Sequence, residues 1–551
     1  MIARPGRGMI TRVGGGLVAG IGGWLRRRGD REVLLACLAG IALGIGLFLV
    51  VPLAPKLVSM HALPTNHDFD VELKPQGLVT PFWLVSMTSF AFAVWQWRRG
   101  RRLSLGLLVA GAIALHLLAI AVPPVASKDI YAYSFYGKVQ TAYGANPYVS
   151  FPDQYPFDSW HPFWSWRLTG PVYGPPFLLL LRLVAVVSGP SMLAWVMWMK
   201  VLLTLAELGA VALLVQALRH RTAGATTPAA AGADPDPRWP VLLIAWNPMV
   251  LQAIAMSAHV DALLLLLVAA ALLAHRRGHH LVAFVLLVVL FLVKVYLGPL
   301  AALYGIWLAA GRPSRRAWAG AVARLGALGA ALTALAYLPF ASAGTSLFTS
   351  AVNVSTHYSS GGPPNLVRRL LAAALPLGGV DPTAAAAIGE RAGRELAIAA
   401  ILVAFVVVAR RLRADEDPWP RIAGYFLFYL MLTPWVFYWH ELPLLGIVAV
   451  VPWSVVSLGA VALSITLVPM SPAGFVTPGG VLPGAAQNLR DTSLAFLTRY
   501  GGAVAALLIG WRAQRQRTEL AQATRSEAQR SLGGFGGRSE ASGAMRSGAP
   551  R

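Results

Sequence analysis

Ser127-Lys128-Asp129-Ile130-Tyr131-Ala132-Tyr133 follows an apolar run that closes at Pro123-Pro124, which places Asp129 at the boundary between hydrocarbon and water. A carboxylate that is partly desolvated there has its pKa raised toward the working pH and can take a proton from an alcohol as general base. The plain alternative is an interfacial acid that is solvated or paired with Lys128. Asp129 opens the segment 125–175, in which fourteen of 51 residues are Phe, Trp or Tyr, against 10% for the whole chain. An interfacial belt takes only a few rings per helix end. Flat rings with hydrogen-bonding edges suit sugar faces and the start of a lipid tail, whereas a loop resting on headgroups would need fewer. Tyr131, Tyr133, Asn146 and Tyr173 are the candidate substrate contacts of this segment.

Three further groups carry charge or rings into apolar surroundings. Trp246-Asn247-Pro248 precedes His259-Val260-Asp261-Ala262-Leu263, so His259 and Asp261 head a strongly apolar helix. Ionisable residues at such a depth are costly and usually face a cavity, although a satisfied helix cap would look the same. Lys294, inside Phe291-Leu292-Val293-Lys294-Val295-Tyr296, can neutralise a phosphate or pair with Glu207 of another span. Thr433-Pro434-Trp435-Val436-Phe437-Tyr438-Trp439-His440-Glu441-Leu442-Pro443 reads as an aromatic turn joining two helices, with Trp435 and His440 as candidate contacts. His357, Tyr358, Asn365, Arg368 and Arg369 lie between two later spans. The arginine pair suits an anionic lipid phosphate or a basic edge on headgroups.

The elements that must hold these residues follow from composition. The chain has 551 residues, 56% hydrophobic and 13% charged, with a mean hydropathy of +0.61. Soluble chains carry about a quarter charged residues, so a soluble enzyme is excluded. The net charge of +23 would point to nucleic acid in a soluble protein. Here the basic residues cluster at the ends of apolar runs, where they orient a membrane protein, and no nucleic-acid partner is expected. The single cysteine, Cys37, excludes an internal disulfide and a cysteine-based zinc site.

Helices crossing about 30 Å of hydrocarbon need about 20 residues. Apolar runs near 33–54, 80–97, 103–122, 191–218, 239–254, 259–275, 280–293, 297–311, 317–340, 394–410, 421–437, 442–456, 457–470 and 493–511 predict an all-α, polytopic transmembrane bundle of about 12–14 spans. Several runs are shorter than a full crossing, and 176–188 reads as a short helix at the outer face. Basic clusters at 98–102, 219–221, 276–277, 312–316, 410–413 and 512–517 fall on one side in this count. That side is the cytoplasm. Residues 1–32 are then a basic cytoplasmic N-terminus, 33–511 the transmembrane domain, and 512–551 a disordered cytoplasmic tail. Outer loops are expected at 55–79, 125–175, 341–393 and 471–492, and a flexible cytoplasmic link at 222–237. Asp68-Phe69-Asp70 imitates the DxD metal motif of nucleotide-sugar transferases, but it lies between membrane helices without the strand and helix alternation those enzymes need.

Taken in order, Ser127 to Tyr133, Gly144-Ala145-Asn146-Pro147-Tyr148, Val172-Tyr173-Gly174-Pro175-Pro176, Trp246-Asn247-Pro248 with His259 to Leu263, and Pro434-Trp435 through Leu442-Pro443 resemble the polytopic glycosyltransferases of the GT-C fold. The resemblance is strongest to the actinobacterial α-(1→6)-mannopyranosyltransferases and runs over most of residues 30–510. This chain carries Lys128, Asn146 and Val260 where that family commonly has Arg, Asp and Asn. The resemblance implies a polyprenyl monophosphate sugar donor, mannose being the expected sugar, and a glycan or glycolipid acceptor at the outer face of the cell membrane. It also implies that Asp129 is the catalytic acid-bearing position. No metal and no cofactor are expected. Lys294, Arg368 or Arg369 would offset charge on the departing phosphate, His259 and Asp261 would orient sugar or acceptor, and Tyr131 and Tyr133 would wall the pocket. A transporter or flippase of lipid-linked sugars, and a protein O-mannosyltransferase of the same fold, are the competing readings.

Overall fold

The computed structural model describes residues 29–57, 79–124, 127–167, 170–224, 236–349, 362–466, 489, 492–510, 512 and 516. Asp68-Phe69-Asp70, most of the 222–237 link, His357 and Tyr358, the 471–492 loop up to residue 488, and nearly all of both termini lie outside the described residues. Among the described residues every regular element is helical. The fold is all-α and polytopic, as the composition requires.

Helices α1 (Asp30–Leu57) and α2 (Val79–Arg98) pair as a hairpin. Ser86 Oγ donates to the Ile41 carbonyl across 3.1 Å, and Gly40 leaves the room that the Ser89 side chain occupies. Helix α3 (Leu105–Ala121) is capped by Ser104, whose hydroxyl accepts from Leu107 N at 3.3 Å. Then come α4 (Asp129–Ala142), α5 (Pro175–Ser188) and the long α6 (Met192–Gly224). The expected loop 125–175 thus contains a helix, and 176–188 is the short helix that its length predicted.

The next stretch is irregular helix. Two π-turns, Val241–Ala245 and Gln252–Met256, flank the short helix Pro248–Leu251, and all their residues are buried. The stretch Pro248–Met256 meets α7 (Asp261–Arg276) at 115°. Ala258 at this break has φ +53°, a left-handed conformation that costs a residue with a Cβ. π-turns and strained residues collect at functional sites, and this break is what delivers His259 and Asp261 from one corner. Helix α7 is the centre of the bundle, packed by α6, α8 (His280–Val293) and α14 (Leu442–Val448).

The remaining elements are α9 (Gly298–Ala309), α10 (Arg315–Tyr337), α11 (Pro363–Ala374), α12 (Pro382–Arg411), α13 (Trp419–Leu432), α15 (Val455–Thr466) and α16 (Thr492–Gly510). Among the described residues, four helices are long and apolar enough to cross a membrane, or five if the bent pair counts as one span, with five shorter apolar helices beside them. This is fewer full crossings than 12–14, because several apolar runs are folded as paired or short helices. Helix α10 buries only Ala321, and α12 only Ala385, Gly389, Gly393 and Ala397. Their outward apolar side chains need a hydrocarbon solvent.

The segment 341–393, expected as an outer loop, is partly helical. It holds α11 and the first turns of α12, which starts at Pro382 rather than near residue 394. The reason is local: Thr383-Ala384-Ala385-Ala386-Ala387 has high helix propensity without high hydropathy. Asp381 caps it, its carboxylate accepting from Thr383 N and Ala384 N at 2.9 and 3.0 Å. Inside the bundle, His116 and Glu207 pair at 3.0 Å between α3 and α6. Lys200 of α6 donates to the carbonyls of Ile120 and Val122 at the end of α3.

Candidate active site

Asp129 is the first residue of α4, where the helix dipole favours a negative charge. Its backbone is fixed on every side. The Asp129 N–H donates to Ser127 Oγ (3.2 Å), the Lys128 carbonyl accepts from Ser165 Oγ (2.9 Å), and the Ile130 carbonyl accepts from Trp195 Nε1 (3.1 Å). The carboxylate Oδ1 accepts from Trp166 Nε1 at 3.1 Å and Oδ2 from the Tyr173 hydroxyl at 3.4 Å. His259 Nδ1 lies 3.5 Å from Oδ2. The Asp129 side chain keeps 13% of its surface exposed while His259 keeps none. The acid is therefore the accessible member and the imidazole its backing.

Helix α4 is not one of the apolar helices, so Asp129 sits outside the spanning segments. Burial pushes its carboxyl above the usual carboxylate range; the Trp166 hydrogen bond, the Lys294 charge and the Tyr173 hydroxyl pull it only part of the way back. A base raised in this way is better matched to a proton donor near neutral pH.

The second half of the site comes from α7 and the end of α8. Lys294, at the extended residue that closes α8, places Nζ 2.7 Å from Asp261 Oδ2, and both side chains are buried. Its ammonium is 5.7 Å from the centroid of Tyr173, the ring that touches Asp129. Lys294 therefore pairs with Asp261. Glu207, the alternative partner considered from sequence, is taken by His116.

The aromatic turn supplies a wall. Trp435 packs edge-on against Phe437, Phe437 stacks on Trp439 (4.5 Å, 12°), and Trp439 stacks on the His259 ring (3.7 Å, 20°). His440 lies 5.0 Å from the Tyr296 ring, which flanks Lys294 at 5.9 Å. Tyr133 donates to the Tyr173 hydroxyl across 3.3 Å with the rings edge-on. Asp129, Tyr133, Tyr173, His259, Asp261, Lys294, Trp435 and His440 thus form one connected set.

Other candidates fall elsewhere. Tyr131 is fully buried, with its ring beside Phe163. Asn146 is a fastener: its Nδ2 donates to the Phe340 carbonyl and Ser342 Oγ, both at 3.1 Å, and its Oδ1 accepts from Tyr148 N. The Lys128 carbonyl ties the start of α4 to Ser165. Arg368 donates to Asn365 Oδ1 at 2.9 Å. With Arg369 they sit on α11, which lies along Gly389 and Gly393 of α12. Sequence reasoning missed Trp166, whose backbone is left-handed at φ +57° with no glycine to announce it.

Gly174 shows how tightly the two halves meet. Its N–H donates to the Val293 carbonyl at 3.1 Å, and a Cβ on it would collide with the Leu292 carbonyl. Gly174→Ala is expected to destabilise the protein by about 1–3 kcal/mol, read as a lowered melting temperature in detergent. It should also cut the activity of the site by about 100-fold, because it moves Tyr173 against Lys294. A variant with parental stability and rate would show that the contact is not needed.

Residues 35–311, half of the chain, match the sequence profile of the alpha-(1->6)-mannopyranosyltransferase N-terminal domain. The chain belongs to the alpha-(1->6)-mannopyranosyltransferase family. It is accordingly a membrane mannosyltransferase, and the family resemblance read from its motifs holds. No curated protein matches the chain. The matched part of this mannosyltransferase contains Asp129, Tyr173, His259, Asp261 and Lys294, whereas the wall at 435–441 lies beyond it.

Proposed function

We propose that this mannosyltransferase moves mannose from a polyprenyl monophosphate donor to a hydroxyl of a glycan or glycolipid acceptor, at the outer face of the cell membrane. The observation that carries the reading is an accessible carboxylate, Asp129, linked through Tyr173 to a buried ammonium, Lys294, in a bundle whose outer helices are apolar. A polyprenyl tail needs a lipid-exposed apolar surface, its phosphate needs a cation, and an acceptor hydroxyl needs a base.

The reaction in this reading is one inverting displacement. The acceptor oxygen bonds to the anomeric carbon, the bond from that carbon to the phosphate oxygen breaks, and polyprenyl phosphate leaves with the electron pair. Asp129 takes the acceptor proton. Lys294 offsets the charge growing on the phosphate, with Arg368 and Arg369 as a second basic group able to meet it. His259 backs the Asp129 carboxylate, with Nδ1 3.5 Å away, and with Asp261 orients the sugar or the acceptor. No step calls on a divalent ion. In this topology residues 33–511 are the membrane domain, the segments 55–79, 125–175, 341–393 and 471–492 face outward, and residues 1–32 and 512–551 face the cytoplasm.

The test gives purified protein in lipid nanodiscs radiolabelled polyprenyl-phosphate mannose and an oligomannoside acceptor. Label should appear in the acceptor and persist with a chelator present. Movement of the lipid between leaflets without a glycosidic bond would replace this reading with a transporter, and loss on chelation reversed by a divalent cation would overturn the metal-free displacement.

A further inference from the structure

The side chains traced around the Asp129 carboxylate differ in exposure. His259 and Tyr173 are buried, whereas Trp166, which donates Nε1 to Oδ1 at 3.1 Å, keeps 50% of its surface exposed. The acid itself keeps 13%. Solvent therefore reaches Asp129 on the Trp166 side, and a hydroxyl bound for this base arrives past the indole.

The exposure of Trp166 does not come from a loose attachment. On one side Ser165 Oγ donates to the Lys128 carbonyl at 2.9 Å; on the other Arg167 reaches the Asp153 carboxylate at 3.3 Å, with His161 3.6 Å from the same oxygen. Trp160 and Trp164 of this stretch turn inward and are buried, Trp164 edge-on to Phe135. Between these anchors Trp166 is held in the left-handed backbone region, at φ +57°. That conformation is costly for a residue with a Cβ, persists only where the surroundings enforce it, and collects at ligand clamps.

The hydrogen bond to Asp129 uses the N–H edge, in the plane of the indole, and leaves the ring faces for stacking. An indole face is a large apolar surface, and a pyranose offers it a flat C–H face while its hydroxyls point sideways. The plain alternative is a ring resting on lipid headgroups, a role open to the fully exposed Phe157 of the same segment. Trp166 differs in spending its N–H on the acid of the site.

We propose that Trp166 is the platform for the acceptor: a hexopyranose of the acceptor glycan stacks on its exposed ring and turns one hydroxyl toward Asp129. The inference rests on the acceptor reading above and adds the residue that holds the acceptor ring. Trp166 then governs acceptor affinity, while the donor is met by the other half of the site.

The experiment measures KM for an oligomannoside and for polyprenyl-phosphate mannose in nanodiscs, using the full-length parent, Trp166→Phe and Trp166→Ala. Both variants lose the N–H that Asp129 accepts, so kcat should fall in both. Trp166→Ala also loses the ring, and its acceptor KM should stand about 10- to 100-fold above that of Trp166→Phe, with the donor KM equal in the two. Equal acceptor KM values in the two variants, or a donor KM that rises by the same factor, would overturn the platform. A second measurement needs no variant to fold. Oxidative footprinting of the parent, read by mass spectrometry, should show Trp166 protected by saturating oligomannoside and not by polyprenyl-phosphate mannose alone. Absent protection, or protection by the donor alone, overturns the proposal. Transfer by the parent without these effects sinks only the role of Trp166, whereas no transfer to the oligomannoside sinks the acceptor reading with it.

Discussion

Asp129→Asn should leave a folded protein whose mannosyl transfer is about 100- to 10,000-fold slower, the range over which a positioned general base acts. The amide keeps the size of the side chain and can still accept from Trp166, which donates to Oδ1 at 3.1 Å. The backbone bonds from Ser127, Ser165 and Trp195 do not involve the carboxylate at all. Stability should therefore stay near that of the parent while the rate collapses. The pH profile gives an independent reading. Transfer needs the ionised form, which is populated above the pKa, and burial raises that pKa despite Trp166, Lys294 and Tyr173. The parental rate should fall with acidification along a limb lying above the ordinary aspartate range of about 3.9, and the residual rate of the Asn variant should lack that limb. Full transfer by the variant would remove Asp129 from the chemistry. An acid limb at the ordinary aspartate value would mean that the site solvates the acid more than its burial indicates.

How far the site could be read in advance depended on cost. Asp129, His259, Asp261 and Lys294 stand out because an ionisable group in an apolar run is expensive and rarely accidental, and these four prove to be neighbours. Their pairing did not follow from the same logic. Hydropathy says that Lys294 needs a carboxylate, but not whether it is Asp261 or Glu207, since that depends on which helices adjoin. The backbone that brings them together was silent as well. Ala258 takes a left-handed conformation with neither glycine nor proline at the position, and two π-turns precede it in a run that reads as ordinary helix. Helix α12 shows the opposite failure, since its alanine-rich, glycine- and charge-containing start falls short in a hydropathy count yet is helical by propensity and by the Asp381 cap.

Breaking the Lys294–Asp261 pair separates what that pair does for the fold from what it does for the reaction. The two side chains meet at 2.7 Å and are buried. Lys294→Met strands the Asp261 carboxylate and Asp261→Asn strands the ammonium, so each single change should cost about 3–5 kcal/mol. Thermal unfolding in detergent would show this as a large drop in melting temperature. The double variant Lys294→Met/Asp261→Leu removes both charges and fills the space with apolar groups, an exchange that is often neutral or stabilising. Its melting temperature should return to near the parental value. Transfer should not return with it, because the ammonium that Tyr173 links to Asp129 is lost as a partner for the phosphate of the proposed reaction. The missing charge should cost transfer about 100-fold or more, on the scale of losing one preorganised electrostatic contact in a transition state. A double variant that regained stability and rate together would make the pair purely structural, and the phosphate would then have to be met by Arg368 and Arg369 on α11.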